Sequence, residues 1–89
     1  MAKQLTLDVK IVDYAGEVWS GIGSYVAAPT TSGPVGIYPR HQPMLALLST
    51  GEMKVEQEDG SLVKAEVSGG FLSVDSDLVT IVTDKGALI

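Results

Sequence analysis

Leu5, Leu7, Val9 and Ile11 alternate with Thr6, Asp8 and Lys10, a period of two that predicts a half-buried strand at the start of the chain. Successive strand side chains leave opposite faces, so one row enters a core while the other meets water. Tyr14-Ala15-Gly16 turns this strand. Glu17 to Ile22 and Ser24 to Ala28 predict two more, the second ended by Pro29. Thr30 to Pro34 reads as a polar turn and Val35-Gly36-Ile37-Tyr38 as a brief strand. Met44 to Ser49 is ambiguous, because Met, Leu and Ala suit a helix while a short run between Pro43 and Gly51 suits a buried strand; its length favours strand. Glu52 to Gln57 alternates again, Glu58-Asp59-Gly60-Ser61 is a hairpin turn centred on Asp-Gly, and Leu62 to Val67 completes the pair. Phe71 to Val74, the turn Asp75-Ser76-Asp77, and the β-branched run Leu78 to Thr83 follow. About ten short strands without a helical period predict an all-β fold, an antiparallel two-sheet sandwich or flattened barrel. The whole of residues 1–89 is expected to form one such domain.

Gly33 to Leu45 breaks the pattern. Three prolines, two glycines, the only histidine and the only arginine crowd into these thirteen positions. Proline fixes φ near −65° and removes a backbone donor, and glycine permits positive φ, so this segment has a nearly rigid path that cannot be a helix.

Hydrophobic residues make up 45% of the chain and charged residues 19%, which describes a folded domain rather than a disordered one. Eleven acidic against six basic residues give a net charge of −5. With no basic cluster, nucleic acid and anionic lipid are poor partners. The longest apolar run, Met44 to Leu48, is far too short to span a bilayer, and Met1-Ala2-Lys3-Gln4 lacks the apolar stretch of a signal segment, so a soluble chain of the cytosolic side is expected. Without cysteine there is neither a disulfide framework nor a thiolate metal site, and stability must come from packing.

Catalytic chemistry finds little support. His41 could serve a triad only with a serine and a carboxylate, yet no serine occupies a Gly-x-Ser-x-Gly elbow. Its ring is expected instead to bond backbone carbonyls in the proline corner. A lone histidine also makes a zinc site improbable. Asp75-Ser76-Asp77 lacks the later glycine and glutamate of a calcium loop and reads as a turn capped by its own side chains. Gly33 to Gly36 and Ser68-Gly69-Gly70 have no Gly-Lys-Ser/Thr and no helix to present donors to a phosphate. Trp19, Tyr25 and Tyr38 could stack a sugar or peptide on an open face, but aromatics in a small sandwich more often fill the core. The residues describe a small rigid β-domain that acts by contact, with neither catalytic residues nor cofactor.

Leu7-Asp8-Val9, Ser20-Gly21, Ala28-Pro29-Thr30, Gly36-Ile37-Tyr38-Pro39 followed by His41, Pro43 and Leu45, Gly51, Ser68-Gly69-Gly70-Phe71-Leu72 with Val74, and Val79-Thr80 leading to Asp84 form an ordered series along almost the whole chain. In order and spacing it resembles the N-terminal β-sandwich of the epsilon subunit of F-type ATP synthase. The resemblance implies a ten-stranded sandwich in the rotor, at the cytoplasmic face of a bacterial membrane. It would link the gamma subunit to the c-ring, couple proton flow to ATP synthesis and carry no active site of its own. It implies that the turn Thr31, Ser32, Gly33 and Pro34 faces the c-ring. It also implies that Tyr38, Pro39, Arg40, His41, Gln42, Pro43 and Met44 face gamma, with Tyr38, Pro39, Pro43 and Met44 as anchors.

Three departures from the family pattern stand out. Pro34 replaces a usual acidic residue, so a salt bridge from that turn to the ring is not implied. Arg40 replaces a usual glycine and is strained if its backbone needs positive φ. The C-terminal helical hairpin is absent, so the expected chain neither brakes ATP hydrolysis by extension nor binds ATP. An independent peptide- or sugar-binding sandwich is the alternative reading, and a hydrolase the weaker third.

Overall fold

The computed structural model describes residues 5–89, and the reading of Met1 to Gln4 lies outside them. Ten strands form in chain order: β1 (Leu7–Asp13), β2 (Gly16–Gly23), β3 (Tyr25–Thr30), β4 (Gly33–Ile37), β5 (Met44–Leu47), β6 (Gly51–Glu56), β7 (Leu62–Val67), β8 (Phe71–Asp75), β9 (Leu78–Val82) and β10 (Gly86–Leu88). They make two five-stranded sheets, ordered β2-β1-β9-β8-β5 and β10-β7-β6-β3-β4, which we call sheets A and B. The sheets face each other as a sandwich and do not close into a barrel. All neighbours are antiparallel except β1 and β9, which run parallel with Asp8 opposite Leu78 and Val12 opposite Val82.

Alternation dictates what lies between the sheets. Leu7, Val9 and Ile11 of β1, Leu72 and Val74 of β8, and Val79 and Ile81 of β9 point inward from sheet A and are buried. Val26, Ile37, Met53, Val55, Ala65 and Val67 meet them from sheet B. Where the alternation slips, a bulge explains it: Ile11 pairs with Trp19 but Val12 with Glu17. The extra residue, Val18, lets both Val18 and Trp19 pack against the core from one strand.

Several details differ from the sequence reading. Pro29 does not end its strand, because β3 continues to Thr30 and Pro29 faces Pro34 across the β3–β4 hairpin. In a hairpin closed by the pair Thr30 and Gly33, the next pair outward exchanges no hydrogen bonds, so neither proline interrupts the β3–β4 ladder; on its other side the Pro29 carbonyl accepts the Ser49 N–H at 3.1 Å. For the same reason β4 begins at Gly33 rather than Val35, and Thr30 is buried rather than part of a loop. The three-residue β10 lies beyond the last strand read from the pattern. Two bonds position it: the Asp13 carboxylate accepts the Gly86 N–H at 3.0 Å, and the Lys85 carbonyl accepts the Ser68 N–H at 3.1 Å.

Gly70 is a position where only glycine fits. Its φ is +102°, and a Cβ there would run into the carbonyl oxygen of Val82 and lie 2.7 Å from the Cα of Thr83.

Candidate interaction surfaces

The rigid segment after β4 is the crossover from sheet B to sheet A. Ile37 is fully buried and anchors one end, and Met44, half-buried, begins β5 at the other. Between them Arg40 adopts φ +67°. That left-handed conformation costs a non-glycine residue roughly 1–2 kcal/mol. The Arg40 N–H donates to Asp77 Oδ1 at 2.6 Å, so the crossover is tied to the β8–β9 hairpin. That hairpin turns on Ser76 (φ +51°) and Asp77 (φ +63°), the pair of left-handed residues that a two-residue hairpin turn requires. The Asp77 carbonyl in turn accepts the Asp8 N–H at 2.8 Å, which ties β1 to the same point. The Asp75 carboxylate accepts the Ser76 hydroxyl at 3.2 Å, as a self-capped turn should.

His41 is half-buried, and its Nδ1–H donates to the Gln42 carbonyl at 2.7 Å, a backbone bond of the kind expected for it. Tyr38 leaves the strand on the outer side of sheet B, 64% exposed, with its ring 4.6 Å from that of Tyr25. The Tyr25 ring covers Gly36, where a Cβ would collide with it. Trp19 and Tyr25 are half-buried and Tyr38 is exposed, so these aromatics do not fill the core as the sequence suggested. Trp19 flanks the core from the β2 bulge, and aliphatic side chains from the two sheets fill its centre. Tyr38 leans on Tyr25 rather than offering an open platform.

The turn Thr31 to Pro34 is narrower than expected. Its exposed tip is Thr31 and Ser32, while Gly33 and Pro34 belong to β4. Thr30 Oγ1 accepts the Ser32 N–H at 3.2 Å and donates to the Gly33 carbonyl, and the Thr31 N–H donates to the Leu47 carbonyl at 3.0 Å. Strand β4 alone separates this turn from the crossover, so the two lie at opposite ends of the sandwich. The β8–β9 hairpin shares the crossover end, and Ser68 to Gly70 shares the turn end, where the Leu48 N–H donates to the Gly70 carbonyl at 2.9 Å.

Alternation splits the segment Tyr38 to Met44 between faces: Tyr38 looks out from sheet B, whereas Met44 points between the sheets from sheet A. The next two outward residues are Leu45 and Leu47, 75% and 65% exposed on the edge strand β5. Leu47 lies opposite Phe71 of β8, itself 42% exposed. These three form an apolar strip, of which Leu45 and Leu47 were expected in a buried strand. Because Met44 to Leu48 is apolar at every position, no polar residue marks the outward face.

Among the described residues, no three His, Asp or Glu side chains gather closely enough to hold a metal ion. An open cleft of about 400 Å³ is lined by Ile22, Gln57, Glu58 and Asp59, which include no nucleophile and base in partnership. The Asp59 carboxyl is held below its usual range, first by the Ser61 hydroxyl and then by the Ser61 N–H. That of Asp13 is lowered chiefly by the Gly86 N–H and next by the Ala15 N–H. Both carboxylates brace turns.

Fold and surface together define a β-sandwich with exposed turns at both ends and an exposed apolar strip along one edge. Residues 6–88 match the family described as ATP synthase, Delta/Epsilon chain, beta-sandwich domain, and the chain belongs to that family. The ATP synthase epsilon chain of Micrococcus luteus is 46% identical over 82 residues, covering 92% of this chain and 90% of that one. The epsilon chain of Streptomyces coelicolor is 39% identical over 82 residues, but the match spans only 66% of its length. Among solved structures, a chain of the Euglena gracilis mitochondrial ATP synthase matches with a TM-score of 0.89 at 20% identity, over 99% of this chain and 56% of that one. At that identity the likeness speaks for the fold.

Proposed function

We propose that this chain is the epsilon subunit of an F-type ATP synthase, a non-catalytic part of the central stalk that joins gamma to the c-ring. It would sit at the cytoplasmic face of a bacterial membrane and help couple proton flow to ATP synthesis. One observation carries the reading beyond family membership: the two candidate surfaces lie at opposite ends of one stiff body. A link between two partners needs that arrangement. The turn at Thr31 and Ser32 would meet the ring, with Gly33 and Pro34 behind it. Tyr38 to Met44 would meet gamma, and the strip of Leu45, Leu47 and Phe71 would carry that grip along the β5 edge toward the turn end with apolar area. Close packing between the sheets supplies the stiffness that transmitted torque demands.

Reconstitution tests the reading. Synthase assembled with this chain should make ATP under a proton gradient, and synthase assembled without it should couple poorly or fail to assemble. Normal coupling in its absence would refute the role. Recovery of the chain without any synthase subunit after mild extraction of the native membrane would favour an independent binding module.

A further inference from the structure

We infer that Arg40 is a docking residue whose guanidinium pairs with a carboxylate of the subunit facing the crossover end, which is gamma in the reading above and on which this inference rests. Three non-glycine residues with positive φ lie together at that end: Arg40, Ser76 and Asp77. Ser76 and Asp77 have short polar side chains of the kind that tolerate such a backbone through local hydrogen bonds. Arginine has no such compensation within its own residue. A glycine would meet the same backbone requirement without strain, so what arginine adds here is its side chain.

The surroundings leave that side chain available. Arg40 is exposed, and its bond to Asp77 is made by the backbone N–H rather than by the guanidinium. Both carboxylates of the adjacent hairpin have other partners: Asp77 Oδ1 accepts that N–H, and Asp75 Oδ1 accepts the Ser76 hydroxyl. The same N–H bond pins the backbone of the residue, so the point from which its side chain leaves the surface is set before any partner arrives. Less freedom is then lost on binding. Arg40 is the only arginine, the other basic residues being lysines. Its planar fork fits a carboxylate through two parallel hydrogen bonds, which an ammonium cannot reproduce. Two residues away stands Tyr38, 64% exposed. Tyrosine and arginine are the side chains over-represented where interfaces concentrate their binding energy.

The test measures binding of the full chain to the purified gamma subunit of the same synthase at two salt concentrations, for the wild type, Arg40→Gly and Arg40→Lys. Thermal unfolding of each isolated variant runs beside it. Arg40→Gly should melt at or above the wild-type temperature, bind roughly tenfold more weakly, and show a flatter salt dependence. Arg40→Lys should recover only part of the affinity. Unchanged affinity and unchanged salt slope for Arg40→Gly would overturn the proposal while leaving the stalk reading standing. A lower melting temperature for Arg40→Gly would also overturn it, since the arginine would then serve the fold. No binding by the wild type would overturn the stalk reading itself, and this contact with it.

Discussion

The carboxylate of Asp77 holds the backbone N–H of Arg40, 37 residues away in sequence, at 2.6 Å. One side chain thus ties the crossover between the sheets to the hairpin it belongs to. Asp77→Ala removes the acceptor and places alanine at positive φ. It should destabilise the isolated domain by about 2–3 kcal/mol. Asp77→Asn keeps an oxygen acceptor and a residue type that tolerates this backbone, so it should cost less than half as much. Urea denaturation of the two variants checks the ranking, and equal losses would contradict it.

Gly70 should be intolerant of any side chain. Its missing Cβ is replaced by the Val82 carbonyl, a strand backbone that cannot step aside. Gly70→Ala is expected to cost more than about 3 kcal/mol and to leave little folded protein. Circular dichroism and the yield of soluble protein read the outcome.

Leu47→Asp should separate folding from assembly. Leu47 is 65% exposed, so the isolated domain should change by no more than about 0.5 kcal/mol. Burial of that leucine against a partner would make the same change costly, and affinity for gamma should fall by roughly an order of magnitude. Equal affinity would remove the β5 edge from the proposed grip.

Acid should weaken the fold through its turns. The carboxyls of Asp13 and Asp59 are both held below the value of 3.8 taken for an unperturbed aspartate. A lowered folded-state value means that each contributes stability above the unfolded value, and that this contribution disappears as pH falls through the folded value. Midpoints of urea unfolding should therefore decline between about pH 5 and pH 2. They should decline less in the double variant Asp13→Asn, Asp59→Asn.

Strands with one polar and one apolar row were legible from the sequence, because water and core pull on alternate residues. The hairpin between β6 and β7 was legible for the same kind of local reason, although its turn closes between Gln57 and Gly60, with Glu58 and Asp59 rather than Asp59 and Gly60 at its centre. Non-local facts were harder. Nothing in the pattern of Leu7 to Asp13 states that its second neighbour is β9, or that the two run parallel. Pro29 misled because a missing donor matters only where the ladder would have used it. Leu45 and Leu47 escaped because their buried neighbours are equally apolar. The rigidity of Gly33 to Leu45 was evident from its prolines. That its two halves serve opposite ends follows from the single strand β4 running between turn and crossover, a geometry that requires the register. The strain at Arg40 became visible only through comparison with the glycine usual in the family and through the observed φ.

The parallel pairing of β1 with β9 has a consequence for biosynthesis. The residues of β1 must wait for those of β9 to leave the ribosome before their ladder can close. Such long-range pairing slows folding and makes it all-or-none. A nascent chain interrupted before Leu78 would leave Ile11 and its neighbours without a lid. The sandwich should accordingly close only once β9 has emerged, with quality control seeing either a finished slab or an open, sticky precursor.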